Sequence, residues 1–152
     1  MIKLKQLVIA TTVGLSMLNG VAFAAAEVGP LEPVTTFEDA RGAGITITPS
    51  GRLLISMHPL DNPKLKIVEV MANGSKQPFP NLDWADGPET GDVGFSAVIG
   101  IHSDSQGIVW MLDMGSKTSS AKLVAWDSNE NALVKTIELD SKALKANSFV
   151  QD

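Results

Sequence analysis

The chain has 152 residues, 44% hydrophobic and 19% charged, with 13 Gly, 8 Pro and no Cys. That is a globular composition, and it excludes disordered, collagenous and coiled-coil classes. A formal charge of -5 lacks the basic footprint of a nucleic-acid binder, and the absence of cysteine excludes a disulfide framework, thiolate zinc, a thiol nucleophile and cysteine lipidation.

Lys3 and Lys5 give the N-terminus a short positive start, and an uncharged run follows from Leu7 to Ala26. Ala22-Phe23-Ala24 supplies a small-x-small cleavage pattern, so residues 1–24 read as a secretory signal peptide. Cleavage after Ala24 removes two lysines and no acidic residue, leaving an acidic exported product, extracellular or periplasmic. No later stretch is apolar enough to span a bilayer, so no membrane association is expected after cleavage. Residues 25–43 are an N-terminal extension.

From Gly44 onward, short apolar or alternating runs are separated by turn residues, the signature of antiparallel strands. Gly44 to Thr48 alternates, Pro49-Ser50-Gly51 turns, and Leu53 to Met57 returns. Leu65 to Met71 is a third strand, Asn73-Gly74 a tight-hairpin signal, and Lys76 to Phe79 a short outer strand. Asn73-Gly74-Ser75 is also a formal glycosylation sequon, which the hairpin explains. Val98 to Ser103, Ile108 to Asp113, Ala121 to Asp127 and Leu133 to Leu139 repeat the order. Sliding the chain on itself by 56 residues superposes Gly44 on Gly100, Gly51 on Gly107, Lys66 on Lys122, Val68 on Val124 and Asn73 on Asn129. The same offset sets Leu54 on Trp110, Ile55 on Met111 and Val70 on Trp126. A repeated four-stranded antiparallel unit predicts an all-β fold of β-propeller blades, in which each blade needs a neighbour on both faces.

Gly51-Arg52 with Leu53-Leu54-Ile55-Ser56-Met57-His58-Pro59, then Gly107-Ile108-Val109-Trp110-Met111-Leu112-Asp113 and Lys122-Leu123-Val124-Ala125-Trp126-Asp127, give the chain its clearest likeness. From about Leu31 to Asp152 it resembles the major royal jelly and Yellow protein family, in the manner of a bacterial member. The resemblance implies secretion and a six-bladed propeller, which at this repeat length needs about 336 residues. By that measure the chain corresponds to an N-terminal part: blade one over 44–80, blade two over 95–139, and the start of a third over 147–152. Relatives carry Asn-Asp near the third inner strand, where this chain has Gln151-Asp152. The family's roles span storage, pigmentation, dopachrome conversion and capture of small amines.

Most catalytic signatures fail. Gly115-Ser116-Lys117-Thr118 lacks the Walker spacing, Gly42-Ala43-Gly44 lacks a third glycine, and Gly94-Phe95-Ser96 lacks the following glycine of a hydrolase elbow. His58 and His102 occupy non-equivalent repeat positions and read as a loop-shaping and an outward strand residue. Trp110 and Trp126 read as blade-packing core, whereas Trp84 stands in a polar stretch where an exposed ring would meet a ligand. Asn81 to Gly94 collects Asp83, Asp86, Glu89 and Asp92 at no EF-hand spacing, so it reads as a solvated connection between blades. No metal or cofactor is assigned. Because that connection leads into an inner strand, Asp92 and Ser96 are the candidate channel-facing groups, with Trp84 the third candidate ligand contact. The expected function is small-molecule binding, polar or aromatic, in a propeller channel by a truncated and inactive chain. The alternatives are an enzyme of dopachrome-tautomerase or lactonase type, which requires a convergent acid–base or metal constellation, and a storage or interaction protein. Self-association through exposed blade edges is the expected protein contact, with no nucleic-acid partner.

Overall fold

The computed structural model describes residues 29–86, 93–140, 142, 144 and 148–151. The chain divides into two compact units, 1–32 and 33–152. Of the first, Gly29 to Glu32 are described; they are exposed and without regular structure, and the expected signal peptide lies outside the described residues. Among the described residues no helix is long and apolar enough to cross a membrane.

The second unit is nearly all β. Its strands are β1 (Gly42–Ile47), β2 (Leu53–Met57), β3 (Ile67–Val70), β4 (Lys76–Pro78), β5 (Val98–Ser103), β6 (Ile108–Asp113), β7 (Lys122–Asp127) and β8 (Ala132–Glu138). They form two four-stranded antiparallel sheets, each a meander in chain order. Among the described residues, a 3-10 turn at Pro59–Asp61 and one short helix, α1 (Leu82–Ala85), accompany them.

The turns form where the sequence places their chemistry. Gly51 and Gly107 take φ of 85°, a left-handed conformation that costs glycine nothing. The Asp104 side chain accepts from Gln106 N–H at 2.9 Å and Ile108 N–H at 3.0 Å, and Asp127 does the same for Asn129 and Glu130.

The repeat holds at the level of register. β1 pairs Gly42 with Met57, then skips to Ile45 opposite Ile55; β5 pairs Val98 with Asp113, then skips to Ile101 opposite Met111. The irregularity, the pairing and the spacing are all reproduced 56 residues later. β2–β3 and β6–β7 match likewise, with Leu53 opposite Val70 and Val109 opposite Trp126. The copies part only at the outermost strand, where the pairing of β8 skips a residue opposite Ala125/Trp126 of β7, an irregularity that β4 lacks.

Side chains alternate between the two faces of a strand. From sheet one, Leu54 and Ile67 enter a cluster with Val98, Val109, Met111, Val124 and Trp126 of sheet two. Ile55, Met57, Val68 and Val70 point the other way, into a second cluster covered by Phe37 and Ala40. At the shared offset, Met111, Val124 and Trp126 correspond to Ile55, Val68 and Val70. One sheet therefore offers its front to the back of the next, so the two faces in contact are different surfaces.

Polar links fix that contact. Ser56 Oγ accepts from Gly44 N–H at 2.8 Å and donates to the Ile99 carbonyl at 2.7 Å. Ser103 N–H donates to Thr46 Oγ1 at 2.9 Å. Arg52 forks onto Glu69 at 2.9 and 2.6 Å, reaches the Ser128 carbonyl at 2.6 Å, and lies 5.2 Å from the Phe79 ring centroid. A Cβ at Gly44 would run into the Ile99 carbonyl oxygen, a backbone atom that cannot swing aside. Gly44→Ala is expected to cost about 1–3 kcal/mol, the range for overpacking, as a lowered urea midpoint at unchanged slope.

Trp126 is buried, as a packing role requires, and its indole N–H donates to Asn131 Oδ1 at 3.1 Å. Trp110 is half-buried on the front of sheet two, its N–H donating to Asp104 Oδ2 at 3.1 Å.

Candidate functional site

Antiparallel pairing brings the start of β5, the end of β6 and the start of β7 to one end of sheet two, with Asp113 opposite both Val98 and Lys122. Three chain segments converge there: Phe95 to Ala97 entering β5, the loop from Met114 to Ala121, and Leu139 following β8. Met114 N–H donates to the Ala97 carbonyl and Leu139 N–H to the Ala121 carbonyl, each at 2.8 Å.

Asp113 is the anchor. Its side chain is fully buried, and its carboxylate accepts from Ser96 N–H at 3.0 Å, Ala97 N–H at 2.9 Å and Gly115 N–H at 3.1 Å. Lys122 Nζ lies 3.9 Å away, itself almost fully buried and 5.8 Å from the Trp84 ring centroid. Burial pushes the Asp113 carboxyl above its ordinary range; the three N–H groups and Lys122 pull against it and do not cancel the desolvation. The sequence signal for this residue is its face: Val109 and Met111 alternate into the core, and Asp113 is next in that alternation.

A chain of hydroxyls runs outward from the anchor. Ser96 Oγ is 3.0 Å from Ser119 Oγ, which is 3.0 Å from Ser116 Oγ, which is 3.2 Å from Thr118 Oγ1. Gly115, at φ 74°, turns the loop so tightly that a Cβ there would strike the backbone of Ser119 and Ala121. Beside these hydroxyls is a cavity of about 420 Å3, lined by Ser116, Lys117, Thr118 and Ser119 with an apolar wall of Leu139 and Leu144. Hydroxyls both donate and accept, and a lysine ammonium only donates. The lining therefore suits a small molecule with hydroxyl or carbonyl oxygens on one side and an apolar body on the other. Asp113 does not line the cavity; it positions the loop that does.

Ser96, read from sequence as a candidate contact, belongs to this hydroxyl chain. Asp92 and Glu89 lie outside the described residues. The reading of Trp84 as an exposed loop aromatic is corrected. It sits on α1, capped by the Asn81 side chain accepting from Trp84 N–H at 3.1 Å, and is only 5% exposed. Its ring centroid is 5.2 Å from that of Phe95 and 5.9 Å from that of Trp126, so packing between the sheets takes up the indole, and it does not line the cavity. Sequence reasoning missed Asp113, Lys122, Ser116 and Ser119.

The other singled-out residues fall elsewhere. His58 Nδ1 accepts from Leu60 N–H at 3.3 Å and shapes the 3-10 turn, and His102 is exposed. Asp86 pairs with Lys64 at 3.5 Å, and Asp83 is exposed. Among the described residues no three His, Asp or Glu side chains come together as metal ligands. The chain matches no protein-family model and no curated protein.

Proposed function

We propose that the two sheets are consecutive blades of an exported β-propeller of the royal-jelly and Yellow type, and that the chain binds a small polar or aromatic molecule at the hydroxyl-lined end of its second blade. The blade reading is supported by the pairing register and its irregularity recurring at one offset, together with front-to-back packing. Export is supported by the composition of residues 1–24. The observation that carries the ligand reading is the run of hydroxyls from Ser119 through Ser116 to Thr118 along one wall of a cavity. Small-molecule sites pair an apolar lining with a few convergent polar groups, and this one has that make-up.

Dopamine and a sugar lactone are suitable probes, the first an aromatic amine and the second a hydroxyl-rich ring. Titration calorimetry should detect one of them. Ser119→Ala should weaken its binding by roughly 3- to 10-fold, the effect of one lost neutral hydrogen bond, with the melting temperature lowered by only a few degrees for the lost contacts to Ser96 and Ser116. Failure of both probes to bind, or binding indifferent to Ser119→Ala and Ser116→Ala, would defeat the ligand reading.

A further inference from the structure

The cavity at the end of sheet two carries charge of one sign. Serine and threonine hydroxyls and the Lys117 ammonium supply its polar lining, and none of the lining residues is acidic. Met114, Leu139 and Leu144 supply its apolar side. Both walls are chain described above, the loop between β6 and β7 and the segment that follows β8.

The Lys117 charge is not answered within the protein. Among the described residues it forms no ion pair, and its side chain is exposed. The nearest buried carboxylate, Asp113, is taken up behind the loop by the N–H groups of Ser96, Ala97 and Gly115 and by Lys122. It does not line the cavity, so no acidic group there competes for a bound anion.

The hydroxyls can be counted as donors. Ser96, Ser119, Ser116 and Thr118 carry four hydroxyl protons, and the three links between them use three. Links running outward from Ser96 leave the Thr118 proton for a ligand oxygen. Links running inward leave Thr118 only lone pairs to offer. An anion beside Lys117 selects the outward order, in which each hydroxyl polarises the next.

We propose that the ligand of this cavity is an organic monoanion, a carboxylate on a small apolar or aromatic body. Its oxygens meet Lys117 and Thr118, and its body lies against Met114, Leu139 and Leu144. The assignment rests on the ligand reading given above and narrows it. Charge-assisted hydrogen bonds are about twice as strong as neutral ones, which favours a carboxylate over an amide or alcohol. One ammonium balances one charge. A phosphate ester carries close to two at neutral pH and would leave the excess uncompensated in a chain of net charge -5. An amine would set a second cation beside Lys117.

Titration calorimetry of the full chain with phenylacetate, phenylacetamide and phenethylamine compares an anion, a neutral amide and a cation on one ring. Phenylacetate is expected to bind roughly 3- to 10-fold more tightly than phenylacetamide at low salt, and phenethylamine more weakly than either. Raised salt should erode the preference, because exposed charges are screened. Lys117→Gln should bring phenylacetate down to the level of phenylacetamide while leaving phenylacetamide and the melting temperature unchanged. Lys117→Arg should keep the preference. Equal binding of acid and amide, tighter binding of the amine, or a preference untouched by Lys117→Gln would overturn the monoanion assignment. In each of those cases the ligand reading itself survives if Ser119→Ala still weakens what binds. Binding of none of the three overturns the assignment outright, and binding indifferent to Ser119→Ala and Ser116→Ala removes both.

Discussion

Asp113→Ala should lower stability by about 3–5 kcal/mol, the range for removing one member of a buried ion pair. The side chain is fully buried and its carboxylate collects three backbone N–H groups from Ser96, Ala97 and Gly115, so its loss leaves three partly buried donors without their acceptor. Urea unfolding followed by the combined emission of Trp84, Trp110 and Trp126 measures the loss directly. Asp113→Asn should cost less, because one amide oxygen still serves two of the donors while its NH2 confronts the third. A pH series separates charge from shape. The folded-state pKa of Asp113 is raised, so the native state holds this proton at pH values where the unfolded chain has released it. Its contribution to stability is present at acid pH and falls as pH rises through the raised value. In Asp113→Asn that decline should be absent, so the gap between wild type and variant narrows across that window. A loss below 1 kcal/mol for Asp113→Ala would mean that the loop is held by other contacts.

Trp84→Ala should be as damaging, about 3–5 kcal/mol by the cost of truncating a buried aromatic. The indole lies between Phe95 and Trp126 and under the Lys122 ammonium, and it joins the linker between the sheets to their shared core. Trp84→Phe keeps a ring and should recover much of the loss. The packing role is distinguished from ligand contact by its readout: the melting temperature falls, while probe affinity below the melt is unchanged. A variant with native stability and lost binding would restore the ligand role to Trp84.

The eight strands were legible because period-two alternation and the turn residues agree over each short run; β2, β5 and β6 match their expected limits. The repeat was legible because Gly44, Gly51 and Gly107 occupy positions where only glycine meets the backbone geometry or the closeness of the next sheet. α1 was not, because one helical turn is too short to show a 3.6-residue period. Its only local signal is Asn81 three residues ahead of Trp84, a cap also typical of loops. The hydroxyl chain was hidden for another reason: Ser96 and Ser119 are 23 positions apart and meet only because β5, β6 and β7 pair in register. Ser96 joins the hydroxyl chain through Ser119 just before β5 begins, without lining the cavity.

Each sheet is a meander, so every strand pairs with its neighbour in the chain and ladder formation closes only short loops. Loop-closure entropy is thus spread over many small steps, a kinetic advantage over sandwiches whose strands pair across distant segments. The long-range links, Ser56 with Ile99 and Arg52 with Ser128, come from joining two already ordered ribbons. Substitutions inside β6–β7 should therefore slow refolding, whereas Ser56→Ala should act mainly by hastening unfolding. The late step in building this molecule is then the meeting of its two sheets.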